Sequence, residues 1–258
     1  MRKLRSLMAG VFAPAVIATT LLAAPAVAQE DSMPHQKWSF NGLFGTFDLA
    51  AAQRGFQIYA NVCANCHSAE YLHYRDLSGI GLDSDQIKAI AAGVTVPSGL
   101  DDQGNPKDAP ATPGSQFKSP FANPTAARAA NNGALPPDLS LIVNAREGGA
   151  DYVYGILTGF AQAPSGFKMQ DGMNYNKMFP GHQIAMPQPL QDGTVEYTDG
   201  TGTSLDQEAH DVVTFLSWAA NPELVERKQI GVRVILFLVF MTGITYAVKR
   251  RLWSDVHH

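Results

Sequence analysis

The chain contains few cysteines and few charged residues. Two cysteines among 258 residues are too few for a disulfide framework. Charged residues make up 16% of the sequence, below the roughly 25% of ordinary globular domains, and the formal net charge of −4 counts against a nucleic-acid-binding protein. The mean hydropathy of −0.08 excludes a protein built from many membrane spans. It leaves room for one or two hydrophobic segments.

The first hydrophobic segment lies at the N-terminus. Three basic residues among the first five positions precede an apolar run, and the small residues Ala26-Val27-Ala28 follow it. This order is typical of a secretory signal peptide, which we predict over residues 1–28. A permanent N-terminal anchor fits less well, because Pro14 interrupts the run.

The second hydrophobic segment covers residues 230–248 and carries a single charge, Arg233. About 20 apolar residues suffice for one membrane-spanning helix, whereas nineteen residues with no polar face fit the core of a soluble protein poorly. Basic residues flank both ends equally, so they do not decide the orientation. The signal peptide does: we predict export of residues 29–226 to the periplasm, a single inner-membrane span, and a cytoplasmic tail over residues 249–258.

The exported part is strongly acidic once the two ends are set aside. Residues 29–226 contain 10 Lys/Arg and 22 Asp/Glu, a net charge of −12. Such a surface favours solubility. It also attracts a basic partner, by steering and by complementary patches.

Hydrophobic spacing and capping residues predict a mainly α exported domain. The predicted helices cover residues 48–63, 83–93, 136–148, 151–159 and 204–220. Segments 95–124 and 161–203 are rich in turn-forming residues and read as long irregular loops, with a possible hairpin at 195–200.

The motif Cys63-Ala64-Asn65-Cys66-His67 carries the chemistry. CxxCH is typical of a covalently attached c-type haem: the two thiols form thioethers, and the histidine binds iron. A zinc site would need a second ligand pair. A dithiol redox motif would need a βαβ setting, but here a predicted helix precedes the motif. We therefore predict one c-type haem on Cys63, Cys66 and His67.

The identity of the sixth iron ligand distinguishes an electron carrier from an enzyme that reacts at the iron. An open position would permit catalysis at the iron, whereas a second strong ligand, Met or His, leaves electron transfer. Met186 is a good candidate, because Pro187 biases it to an extended backbone in a stiff segment. The competing residues of the exported part are Met33, Met169, Met173, Met178, His35, His73, His182 and His210.

These residues resemble the cytochrome c1 family, the haem subunits of ubiquinol–cytochrome c oxidoreductase (the cytochrome bc1 complex), in a bacterial form. The resemblance covers nearly the whole mature chain. Matching stretches are 54–59, 63–67, 71–75, 123–140, 148–153, 179–187, 218–220 and the basic pair at 249–250.

The resemblance implies a mainly α, cytochrome c-like haem domain with long irregular loops and one C-terminal transmembrane helix. It makes His67 and Met186 the axial ligands of the haem iron. It also implies that Asn131 and Arg146 contact the haem propionates, although Arg146 could instead be a cation at a helix C-terminus. The carbonyl of Pro137 is expected to accept a hydrogen bond from Nδ1 of His67.

The resemblance further implies an electron-transfer subunit, not an enzyme on its own. Its expected partners are cytochrome b, a Rieske iron–sulfur protein, a soluble basic c-type cytochrome and membrane lipid, and no nucleic acid. The alternatives are an independent membrane-anchored haem enzyme with an open iron site, or a structural tether. Some bacterial relatives carry a further cysteine pair before the methionine, and this chain has none. Segment 162–184 must therefore be held by other contacts.

Overall fold

The computed structural model of the protein describes residues 33–255. The predicted signal peptide and the end of the tail lie outside them. The described α-helices are α1 (Leu49–Asn61), α2 (Ser84–Ala92), α3 (Pro124–Ala130), α4 (Gly149–Thr158), α5 (Leu205–Ala220) and α6 (Leu224–Leu252). Short 3-10 helices cover Cys63–Asn65, Tyr74–Ile80 and Pro180–His182. Two antiparallel pairs complete the described part: β1 (Thr95–Leu100) with β2 (Pro106–Pro110), and β3 (Asn174–Tyr175) with β4 (Gln183–Ile184).

Helices α1 and α5 pack closely against each other and form the centre of the core. Gly55 of α1 lies against the backbone of α5, where a Cβ would sit 2.0 Å from the carbonyl oxygen of Asp211. Only glycine permits so close an approach of two backbones. Aromatic rings surround the crossing: Phe215 lies 5.6 Å from Phe56 and 5.7 Å from Tyr59 between ring centroids.

A buried ion pair joins the same two helices. Arg54 donates from Nε and Nη2 to the carboxylate of Asp211, at 2.8 and 3.0 Å, and Asp211 is fully buried. The hydrogen bond to Asp211 raises the pKa of Arg54, although burial alone would lower it. Nη1 of Arg54 also donates to Asp199 at 2.9 Å, in the segment that leads from Met186 to α5. The pair therefore fixes that segment to the core.

Most of the predicted helices are confirmed. Helices α1, α2, α4 and α5 coincide with predicted helices to within a few residues. The side chain of Ser204 caps α5 by accepting from the backbone N–H of Gln207, as its sequence pattern indicates.

Three local predictions were wrong. Residues 140–147 form turns instead of the helix predicted over 136–148, and residues 195–200 form no hairpin. Segment 95–124 is not wholly irregular, because it contains the β1–β2 hairpin, and the unpredicted helix α3 begins at its last residue. The start of α3 follows a common rule that could have revealed it: Asn123 caps the helix and Pro124 takes its first position.

Helix α6 contains the predicted membrane span as part of one continuous helix. Its 29 residues give a length of roughly 44 Å at 1.5 Å per residue, more than the roughly 30 Å of a bilayer's hydrocarbon core. Its apolar window is entirely exposed. The hydroxyls of Thr242 and Thr245 donate to backbone carbonyls one turn earlier, so they present no unpaired polar group to lipid.

Candidate haem site

The CxxCH motif forms one tight turn directly after α1. The backbone N–H groups of Cys66 and His67 both donate to the carbonyl of Cys63, at 3.1 and 2.9 Å. Asn65 closes the turn by donating from its side chain to the carbonyls of Asn61 and Val62. The packing of α1 on α5 therefore fixes the position of both thiols and of the imidazole.

The ring of His67 is oriented by the backbone of a distant segment. Its Nδ1 lies 2.7 Å from the carbonyl oxygen of Pro137, so the predicted hydrogen bond is present. A carbonyl only accepts, so Nδ1 carries the proton and Nε2 carries the lone pair. Burial lowers the pKa of His67, although the Pro137 carbonyl and Asp138 oppose that shift. The imidazole is therefore neutral at neutral pH, the form that binds a metal ion.

Asp138 ties this segment to the motif and was not recognised from the sequence. Its Oδ2 accepts from the Ser68 hydroxyl at 2.7 Å and from the backbone N–H of Glu70 at 2.8 Å, while its Oδ1 accepts from the N–H of Ser140. Burial alone would raise the pKa of Asp138, but hydrogen bonds from Ser140, Glu70 and Ser68 outweigh it and lower the pKa. The carboxylate thus holds the Pro137 carbonyl in place beside Nδ1 of His67. In the sequence, the position of Asp138 directly after Pro136-Pro137 was the feature that could have indicated this role.

Met186 lies on a separate segment, directly after the β3–β4 hairpin. Its side chain is half-buried, and its carbonyl accepts from the Asn174 side chain at 3.3 Å. Within the described residues no hydrogen bond joins this segment to the Cys63–His67 turn. The hairpin, and not a direct contact with the Cys63–His67 turn, therefore determines the position of Met186.

A buried asparagine holds the hairpin against α4 without a disulfide. Asn176 is fully buried; its Nδ2 donates to the carbonyl of Ile156 at 2.8 Å, and its Oδ1 accepts from the N–H of Met178 at 3.0 Å. Its own N–H donates to the carbonyl of His182 across the hairpin. Asn176 therefore connects the segment that leads to Met186 with a core helix.

We expect Asn176→Leu to lower the stability of the domain and to make the position of Met186 less fixed. It leaves the carbonyl of Ile156 and the N–H of Met178 unpaired, at about 1–3 kcal/mol for each buried group. Denaturant unfolding measures the loss of stability, and carbon monoxide binding to the reduced haem protein reports release of the sixth ligand. Asn105→Leu is the control, because exposed Asn105 bonds only within the β1–β2 turn. Equal effects of the two substitutions would contradict this role.

The other methionines of the exported part differ in their surroundings. The side chains of Met33 and Met178 lie against α4, where a Cβ on Gly155 would sit 2.9 Å from Sδ of Met33 and 3.3 Å from Cγ of Met178. Met169 is half-exposed and Met173 is exposed.

All four competing histidines contact other residues, and His182 stacks on Tyr175 at 5.7 Å between ring centroids. His35 bonds Asp151, His73 lies 3.6 Å from the Asp76 carboxylate, and His210 stacks on Trp38 at 4.7 Å between ring centroids. Nδ1 of His182 is buried without a hydrogen-bond partner among the described residues. Among the histidines, His182 therefore remains the competitor of Met186 as the sixth iron ligand.

Asn131 and Arg146, expected near the propionates, lie in turns on either side of Pro137. The Asn131 side chain donates to the carbonyl of Ala127 at the end of α3, at 2.8 Å. Arg146 is exposed and donates to the carbonyl of Ala145. The alternative of a helix-terminal cation at Arg146 was wrong, because residues 140–147 form turns.

The residues of the turn fit a covalent haem. Both cysteines are free thiols, and Nε2 of His67 makes no hydrogen bond to any residue in 33–255. Burial raises the pKa of the Cys63 thiol to about 12, so this thiol is neutral before attachment. The turn therefore offers two thiols and one imidazole lone pair from five consecutive residues, the donor set of a c-type haem site.

Comparisons with known proteins point to one family. The Cytochrome C1 family model matches residues 38–256. Cytochrome c1 of Rhodospirillum rubrum is 44% identical over 243 residues, 88% of this chain and 89% of that protein. The mitochondrial cytochrome c1 haem protein of Saccharomyces cerevisiae is 44% identical over 224 residues, 86% of this chain and 72% of its own length.

A third relative, cytochrome b/c1 of Bradyrhizobium diazoefficiens, is 42% identical over 269 residues, 96% of this chain but 39% of that protein. The matches confirm the predicted fold class of a mainly α, cytochrome c-like domain with one C-terminal transmembrane helix. The chain belongs to the cytochrome c1 family.

Proposed function

We propose that this protein is the haem subunit of a ubiquinol–cytochrome c oxidoreductase and passes single electrons from a Rieske iron–sulfur protein to a soluble c-type cytochrome. The observation that carries the proposal is the CxxCH turn, in which the Pro137 carbonyl fixes the His67 ring. Relatives named cytochrome c1 and haem protein support it. When bound, the haem supplies a one-electron iron couple.

Each residue of the site has a definite task in this proposal. Cys63 and Cys66 would attach the haem, and His67 and Met186 would be the ligands of its iron. Pro137 and Asp138 keep the imidazole oriented, which is the usual task of the groups behind a metal ligand, while burial keeps it neutral. With both ligands supplied by the protein, no substrate would need to bind the metal, and the bound haem would serve electron transfer.

Asn131 and Arg146 are proposed to contact the haem propionates. Both lie on the chain segment that also carries Pro137 and Asp138. The exposed guanidinium of Arg146 has only one backbone contact in the described residues, so it can turn towards a carboxylate.

The membrane arrangement is part of the proposal. Export by the signal peptide at 1–28 would place residues 29–226 in the periplasm, with α6 in the inner membrane and residues 249–258 in the cytoplasm. Cytochrome b is the proposed neighbour of α6, because one relative is a cytochrome b/c1 protein in a single chain. The Rieske protein and the soluble carrier would meet the exported domain.

Purification of the full-length chain from membranes in mild detergent tests the proposal. We expect cytochrome b and a Rieske protein to copurify, and ubiquinol to reduce the haem of this subunit only when the Rieske protein is present. Isolation of the chain without these partners, or reduction of its haem independent of the Rieske protein, would contradict the proposal.

The acidic exported domain predicts electron transfer that depends on salt. Residues 29–226 carry a net charge of −12, which attracts a basic carrier through long-range steering. The second-order rate with a basic c-type cytochrome should fall by about tenfold or more as ionic strength rises and shortens the Debye length from about 30 Å at 0.01 M to about 8 Å at 0.15 M. Stopped-flow mixing measures this rate. A rate independent of salt would exclude charge steering.

A further inference from the structure

A loop beside the start of α6 exposes two adjacent large apolar side chains. Leu43 is 58% exposed and Phe44 is 80% exposed. Adjacent exposed apolar residues on an otherwise acidic domain indicate contact with another apolar phase or partner.

Lys228 fixes this loop to α6. Its Nζ donates to the carbonyl of Phe40 at 2.6 Å and to that of Gly45 at 3.2 Å, one on each side of the exposed pair. The apolar tip therefore has a defined height along the helix, two residues before the apolar stretch starts at Ile230.

A groove of about 290 Å³ lies between the loop and the helix. Leu43, Phe44, Val225 and Val232 supply apolar walls, and Arg233 stands at the edge. The exposed side chains of α6 beyond Ile230 place this groove at the membrane surface. Arg233 is about 4.5 Å further along the helix than Ile230, at 1.5 Å per residue, the depth where lipid headgroups meet acyl chains.

The charge of Arg233 has no partner among the residues that the structure describes. Its guanidinium makes no ion pair and no hydrogen bond with any residue in 33–255. A guanidinium next to hydrocarbon binds phosphate well, because its planar N–H groups match two phosphate oxygens. Together with apolar walls, this charge matches a phospholipid with an acidic headgroup.

We propose that the groove binds one anionic phospholipid of the leaflet that faces the haem domain. The lipid phosphate binds Arg233, and an acyl chain lies against Leu43, Phe44 and Val232. The inference rests on α6 spanning the membrane, and not on the proposed electron transfer. The site also counteracts the repulsion that a domain of net charge −12 experiences at an anionic bilayer.

Native mass spectrometry of the full-length haem protein in detergent, titrated with phosphatidylglycerol, tests the site. We expect one tightly bound phosphatidylglycerol, with weaker binding of zwitterionic phosphatidylcholine. Arg233→Gln should weaken phosphatidylglycerol binding by about tenfold, as for loss of a charge-assisted hydrogen bond. Arg227→Gln is the matched control. It removes the same charge from the same helix, but Arg227 is exposed and does not line the groove.

Phe44→Ser should weaken the binding of both lipids, while Leu100→Ser, which removes an apolar side chain that is 67% exposed on β1, should not. An unchanged haem spectrum confirms that each variant is folded. Equal losses with Arg233→Gln and Arg227→Gln would overturn the proposal by showing general charge attraction. Loss of a partner subunit from the purified complex of Phe44→Ser, with lipid binding intact, would also overturn it, since a protein would then fill the groove.

Discussion

Met186→Leu should lower the reduction potential of the haem on the order of 0.2 V, a part of the roughly 0.8 V over which axial ligands set haem potentials. The thioether of methionine raises the potential of a His-ligated haem, and leucine offers no ligand atom. The empty sixth position should also bind carbon monoxide in the reduced state. Potentiometric titration of the purified full-length protein measures the potential. The visible spectrum of the reduced protein under carbon monoxide measures the binding at the sixth position.

Substitutions of neighbouring residues make this test specific. Met178→Leu should leave the potential unchanged, because the Met178 side chain lies against Gly155 of α4. His182→Gln should also leave it unchanged, although Nδ1 of His182 is buried without a partner among the described residues. A lower potential in His182→Gln together with a normal value in Met186→Leu would show that His182, and not Met186, binds the iron.

Arg54→Ala should lower the free energy of unfolding by about 3–5 kcal/mol, the usual effect of removing one partner of a buried ion pair. The carboxylate of Asp211 would stay fully buried, with the Gln207 side chain as its remaining side-chain donor. For a domain of this size the melting temperature should fall by roughly 10 °C, at about 2–4 °C per kcal/mol. Thermal unfolding of the full chain in detergent, followed by circular dichroism, measures the change.

Arg75→Ala is the matched control for this effect. Arg75 is exposed and lies 3.9 Å from the Asp76 carboxylate, and an exposed pair of this kind contributes about 0–1 kcal/mol. Similar losses from both substitutions would show that the Arg54 ion pair has no special weight. The folded Arg54→Ala protein should keep a normal haem spectrum at low temperature, because Arg54 does not contact the Cys63–His67 turn.

The parts of the fold that were predicted correctly depend on local sequence. Asp48 and Ser204 cap α1 and α5, and each cap acts on residues three positions away. The CxxCH motif is equally local, since five consecutive residues supply the thiols and the imidazole. Such features are visible in a single sequence because their partners lie within one helical turn.

The helix predicted over 136–148 was wrong because Asp138, near its predicted start, has distant partners. The Asp138 carboxylate accepts from Ser68 and Glu70, about 70 positions earlier in the chain. Residues 140–147 therefore form turns. No periodicity of hydrophobic residues reveals such a competition, and the role of Asn176 beside α4 was hidden for the same reason.

The β1–β2 hairpin was missed because its strands lack the usual pattern. They contain prolines and a glycine and show no alternation of apolar and polar residues. The hairpin is held by its turn, where Asp101 accepts from the N–H groups of Gln103 and Asn105.

The proposed function requires a haem attached by Cys63 and Cys66, with its iron bound by His67 and Met186. Exposure of the reduced full-length protein to carbon monoxide, followed by acid–acetone extraction of the same sample, tests it most directly. We predict an unchanged reduced spectrum under carbon monoxide and haem that stays with the polypeptide after extraction. A carbon monoxide complex of the native protein, or haem released into the solvent, would contradict the account.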